Sequence, residues 1–216
     1  MRAFVVQRYK GPLLETEVTE PTVGERDVLV RVEAAGLNEL DEKIRAGEFK
    51  RLLRYELPLI LGNDVAGTIL SVGPKVVKFK PGDEVYGRPD LNRIGTFAER
   101  IALDEADLAP KPASISMVEA GSLPLVALTA WQALVERGNV QPGQKVLIHG
   151  GAGGVGSIAI QLARSKYKAH ASPGPFHGWT TFSASQLAIP CPTTSARSTA
   201  PRHGGPSAHA VASSSM

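Results

Sequence analysis

The stretch Lys145-Val146-Leu147-Ile148-His149-Gly150-Gly151-Ala152-Gly153-Gly154-Val155-Gly156 limits what this chain can fold into more than any other. Val146 to His149 are apolar or tolerant of extended backbone, and they predict a short buried strand. The glycines that follow permit a tight turn that a residue with a Cβ could not take cheaply. Beyond the turn, Val155, Ile158, Ala159 and Leu162 fall at i, i+3, i+4 and i+7, the spacing of one apolar helix face. Gly151, Gly153 and Gly156 therefore satisfy G-x-G-x-x-G where the pattern has meaning, after a strand and at the opening of a helix.

Such a turn suits phosphate. A helix N-terminus presents unpaired N–H groups and a partial positive charge, and a diphosphate approaches closely only where side chains are missing. The plainer reading is a glycine-rich connector. Strand, turn and helix in register favour a dinucleotide site built from Gly151, Ala152, Gly153, Gly154, Val155 and Gly156. No Gly-Lys-Ser/Thr closes the turn, which excludes a Walker A loop.

A chain of 216 residues holds one large domain or two small ones, and 43% apolar residues fit a globular protein. The residues after Arg2 lack the apolar core of a signal peptide, and Leu123 to Val135 is interrupted and too short for a bilayer. The single cysteine, Cys191, has no internal partner, and its scarcity favours a reducing cytoplasm. All 21 carboxylates lie at or before Glu136, so the net charge of +3 divides into −4 up to that residue and +7 after it. The later basic residues are sparse and have no aromatic platform among them, which argues against a nucleic-acid arm.

From Met1 the chain reads as short strands punctuated by Gly and Pro. Ala3 to Val6, Asp27 to Glu33, Val65 to Val72, Val85, and Arg100 to Leu103 are the candidates, and together they predict a barrel-like β fold. Leu40 to Gly47 predicts one short helix with its glycine stop. Ser116-Met117-Val118-Glu119 matches a capping box, and Pro124 is placed to open a helix through Leu125, Leu128, Trp131, Leu134 and Val135 that Gly138 closes.

Asp27-Val28-Leu29-Val30, Ala35-Gly36-Leu37-Asn38, Gly62-Asn63-Asp64-Val65-Ala66-Gly67, Pro81-Gly82-Asp83-Glu84-Val85, Gly95-Thr96-Phe97-Ala98-Glu99, Leu128-Thr129-Ala130-Trp131 and the glycine turn occur in this order. Over Met1 to about Ala163 the chain resembles the zinc-independent, zeta-crystallin-like quinone oxidoreductases of the medium-chain dehydrogenase/reductase superfamily. The resemblance implies an α/β chain with a β-rich N-terminal part: a GroES-like β-barrel substrate domain over 1–122, then the beginning of a Rossmann domain over 123–164. It implies NADPH as reductant, with NADH also open, and a quinone or related α,β-unsaturated carbonyl as substrate. It places Asn38 at the nicotinamide–substrate junction, as catalytic and cofactor-binding residue, and Thr129 beside the nicotinamide ring. The family is often homodimeric, and much of that interface is expected to be missing here.

For Asn38 the alternative is a turn residue satisfying its own backbone. Asp41 and Lys43 read as a solvated helix face, and Asp64 as a buried structural carboxylate. Zinc-binding relatives carry Cys where Asn38 stands and His where Asn63 stands. Asp64 and a distant His149 make no tetrahedral site, so no metal is expected.

After Arg164 the pattern changes. Ser, Pro, Ala, Thr, His and Gly dominate 165–216, without a period of 2 or 3.6. The expectation is a nucleotide domain that stops after one strand and one helix, followed by a disordered tail. A frameshifted gene explains both the abruptness and the missing carboxylates better than a natural extension. His170, His177, His203 and His209 lack ligand spacing, so a metal-binding arm is the weakest reading. On this reading the face of Val155, Ile158 and Leu162 lacks most of its partners and no residue reads the ribose. NADPH then binds weakly or not at all, and the alternative to an impaired reductase is a non-catalytic remnant, a GroES-like domain with a tail.

Overall fold

Alternating valines build the first sheet. Val28 and Val30 point to one side of a strand and bury completely, against Val65 and Ile69 of its neighbour. Each such side chain contributes about 2 kcal/mol by leaving water. The computed structural model describes residues 1–172 and 180–182. The chain divides into two units, Met1–Leu125 and Val126–Met216.

The first unit contains strands β1 (Arg2–Val6), β2 (Leu13–Glu17), β3 (Asp27–Ala34), β4 (Leu59–Ile60), β5 (Val65–Val72), β6 (Glu84–Gly87), β7 (Arg100–Asp104) and β8 (Leu108–Pro110). Five of them form an antiparallel sheet in the order β7-β3-β5-β6-β8. β2, β1 and β4 form a second antiparallel sheet. The predicted strands are present. β2 escaped the sequence reading because all its residues are exposed, which leaves no alternation to register. Helix α1 (Glu39–Ala46) stops at Gly47, whose φ of 80° is left-handed. Ile44 of α1 packs with Val6 and Leu61 in a smaller cluster.

Helix α2 (Met117–Gly121) begins with the predicted Ser116–Glu119 capping box. Helix α3 (Pro124–Trp131) begins at the predicted proline and continues as a π-helical segment, Gln132–Arg137, capped by Gly138.

In the second unit β9 (Lys145–Ile148) leads through the glycine turn to α4 (Gly154–Tyr167). Two further strands, β10 (His170–Ser172) and β11 (Thr180–Phe182), flank β9 in a parallel sheet of order β10-β9-β11. The expectation that this part stops after one strand and one helix is therefore corrected. After α4 the chain turns at Lys168 and pairs His170 with Lys145, which completes a β-α-β crossover. A three-residue strand of His, Ala and Ser carries no pattern of its own, and its partner lies far away in sequence. The face of α4 is not bare either. Ala159 and Ala163 are buried, and Val155, Ile158 and Leu162 pack half-buried on a cluster that includes Leu134, Val140, Val146 and Ile148. Cys191, His177, His203, His209 and the expected disorder of the tail lie outside the described residues. Among the described residues no helix is long and apolar enough to cross a membrane.

Candidate functional site

In the first unit, Asn38 is the N-cap of α1 and forms a capping box with Asp41. The Asp41 carboxylate accepts the Asn38 backbone N–H at 2.8 Å and the Asn63 side-chain amide at 2.7 Å. The Asn38 amide in turn donates to Asp64 Oδ2 at 2.9 Å, and the Leu125 N–H donates to Asp64 Oδ1 at 2.7 Å. Asn63 and Asp64 are fully buried just before β5, at the centre of the sheet.

Burial dominates the electrostatics. It pushes the Asp64 carboxyl up to about 6, against its hydrogen bonds from Asn38 and Leu125. Asp41 is raised by the same cause. Burial also raises the Tyr55 hydroxyl to about 12, and that hydroxyl donates to the Leu91 carbonyl at 2.6 Å. Arg88, which follows β6, is pushed below the ordinary guanidinium value by burial.

Asp41 is thus not on a solvated face. It is 4% exposed, because the third residue of a helix points back toward the cap. Lys43 is on the surface, paired with Glu39. Asn38 stands at the N-cap position of its helix, and its side-chain amide is drawn into the polar cluster. One of its two amide N–H groups is committed to Asp64, so the other remains available as a donor.

The glycine turn belongs to the second unit. Gly150 has a φ of 67°, and the Gly153 N–H closes the turn on the Gly150 carbonyl at 2.9 Å. A Cβ on Gly156 would lie 2.2 Å from that same carbonyl oxygen, so the helix can approach the turn only with glycine there. A Cβ on the exposed Gly153 would meet nothing nearer than 3.4 Å, so its outer side is open. No side chain caps α4 and no acidic residue occupies its first turn. The N–H groups of Gly154, Val155 and Gly156 are therefore left without intrahelical acceptors, as at any helix start. This cradle fits a diphosphate. Ala152 is an exposed turn residue, and Thr129 lies half-buried on α3. Asn38 stands in the first unit, and Thr129 with Gly151 to Gly156 in the second.

Sequence reasoning missed Asp41, Tyr55 and Arg88. An Asn-x-x-Asp capping pattern was legible for Asp41, but nothing local marks the other two. Among the described residues no group of three His, Cys, Asp or Glu side chains could hold a metal ion.

Residues 24–113 match the alcohol dehydrogenase GroES-like domain. The chain is 40% identical over 178 residues to an NADPH-dependent alkenal/one oxidoreductase of Arabidopsis thaliana, covering 78% of this chain and 46% of that protein. It is 35% identical over 168 residues to a quinone oxidoreductase of Lama guanicoe, covering 76% of this chain and 50% of the other. The chain belongs to the quinone oxidoreductase-like family of the medium-chain dehydrogenase/reductase superfamily. An alcohol dehydrogenase superfamily protein from Novosphingobium aromaticivorans shares the fold of this family member with a TM-score of 0.75 and 45% identity, over 81% of this chain and 54% of that one. The chain spans about half the length of the quinone oxidoreductase-like relatives it matches. The family is one of oxidoreductases, and an α/β fold with an N-terminal GroES-like domain is its architecture here.

Proposed function

We propose that this chain carries the substrate-binding and diphosphate-binding parts of a zinc-free reductase that uses NADPH to reduce quinones or α,β-unsaturated carbonyls. The observation that carries the reading is the glycine-lined start of α4, where Gly156 lets the helix close on Gly150 and Gly153 leaves the approach open. The names of relatives support the reductant and the substrate class.

The reduced nicotinamide, when bound, supplies a hydride. The chain's own residues bind and orient. The Gly154, Val155 and Gly156 N–H groups take the diphosphate. In the first unit Asn38 presents its remaining amide N–H to a substrate carbonyl oxygen, and in the second Thr129 is the residue assigned to the nicotinamide ring. Asp41 and Asp64 are positioning residues: the first fixes the Asn38 backbone and the second its side chain. Polarisation of a carbonyl then falls to hydrogen bonding.

No carboxylate follows Glu136 in this sequence; an acidic side chain would favour the ribose 2′-hydroxyl of NADH, so its absence does not weigh against the 2′-phosphate of NADPH. The test follows NADPH consumption with duroquinone or cinnamaldehyde as acceptor. Protein-dependent oxidation that falls about tenfold or more in Asn38→Ala supports the reading. No oxidation together with no change in NADPH fluorescence at any concentration contradicts it, and leaves a non-catalytic GroES-like unit.

A further inference from the structure

The polar cluster of the first unit contains a cation whose charge nothing answers directly. Arg88 Nε is buried and meets no acceptor, and no ion pair joins the guanidinium to a carboxylate among the described residues. Its own backbone N–H donates to the Asp107 carbonyl at 3.3 Å, which fixes where the side chain starts.

The groups that face it are engaged elsewhere. The carboxylates of Asp64, Asp90 and Asp107 act on Arg88 only through longer-range attraction. Both Asp64 oxygens accept protein N–H groups. Asp90 Oδ1 accepts from Asn92, Asp107 Oδ2 accepts the Asp90 N–H, and the Tyr55 hydroxyl donates to Leu91. A half-buried guanidinium with no paired oxygen is costly to keep for the fold alone. Its planar fork of donors matches an oxygen that carries negative charge.

We propose that Arg88 is the group that receives the substrate carbonyl oxygen and stabilises the charge that gathers there during reduction. This rests on the reductase reading. As a hydride with its electron pair reaches the β-carbon of an enone, the C=C pair shifts toward the carbonyl and the oxygen becomes an enolate. A proton from solvent then closes the α-carbon. The guanidinium donates to that oxygen throughout, and more strongly as the charge grows. Arg88 is in this sense a catalytic residue, whereas Asp64 is a positioning residue.

The test uses cinnamate, a carboxylate standing in for the enolate, and neutral cinnamamide, titrated calorimetrically into the full chain and into Arg88→Met and Arg88→Lys. Cinnamate is expected to bind the unmodified chain about tenfold or more tightly than Arg88→Met, with Arg88→Lys between them and cinnamamide little changed. Arg88→Met is expected to melt at or above the parent temperature, because an unpaired buried charge has been removed. Equal cinnamate affinity in parent and Arg88→Met overturns the proposal, and so does no binding to the parent. A melting temperature lower by more than about 5 °C would mark Arg88 as a structural partner and overturn it as well. Failure of NADPH binding would sink the reductase reading without touching these outcomes.

Discussion

Replacing Asp64 by asparagine removes one charge from the centre of the first unit and keeps the shape of the side chain. Burial raises the Asp64 carboxyl from 3.8 to about 6, opposed by the Asn38 amide and the Leu125 N–H. A shift of about two units corresponds to about 3 kcal/mol. The unfolded chain releases this proton near 3.8, whereas the folded chain holds it to about 6. In that window the folded state binds more protons, so the carboxyl's contribution to stability falls as pH rises. An asparagine has no such dependence. It does place an NH2 where an oxygen accepted, so either Asn38 or Leu125 loses its acceptor, at a cost of about 1–3 kcal/mol. The variant is therefore less stable than the parent at about pH 4, and the deficit closes or inverts by about pH 7, a swing of about 3 kcal/mol. Urea unfolding at a series of pH values measures the swing. Nitrogen–proton NMR gives an independent reading, because the Leu125 N–H and the Asn38 amide should titrate with a midpoint near 6. A stability difference that stays flat across the window, or a midpoint near 3.8, refutes the reasoning.

Asp41→Ala removes half of the α1 cap and strands the buried Asn63 amide, so it should destabilise the first unit by about 3 kcal/mol in urea unfolding. Gly156→Ala drives a methyl group into the Gly150 carbonyl and should cost about 3 kcal/mol or more, read as a fall in thermal stability. Gly153→Ala has room and an ordinary backbone conformation, so stability should change by less than about 1 kcal/mol while NADPH binding, followed by nicotinamide fluorescence, is lost. Leu134→Ala opens a cavity in the core of the second unit and should cost about 3 kcal/mol, visible in tryptophan fluorescence during unfolding.

Local chemistry was legible and tertiary pairing was not. The strand, turn and helix from Lys145 onward were readable because Gly156 and the spacing of Val155, Ile158 and Ala159 act over a few residues. The α1 stop at Gly47 and the Ser116 cap were readable for the same reason. β10 and β11 were not, because three-residue strands gain their identity only from parallel pairing with β9. Asp41 was misread because Glu39, Glu42, Lys43 and Arg45 around it suggest a wet surface. Its buried partner Asn63 lies more than twenty residues away. Arg88 carried no sequence signal at all. Its isolation appears only when Asp64, Asp90 and Asp107 are seen to be bonded elsewhere.

The claim on which the account turns is that the start of α4 receives a dinucleotide diphosphate. The most direct measurement is a titration of the labelled chain with NADPH, followed at the backbone N–H signals of the second unit. The account predicts saturable shifts concentrated on Gly153, Gly154, Val155 and Gly156, absent when Gly153 is alanine. Shifts that fall elsewhere, or that persist unchanged in Gly153→Ala, would contradict it.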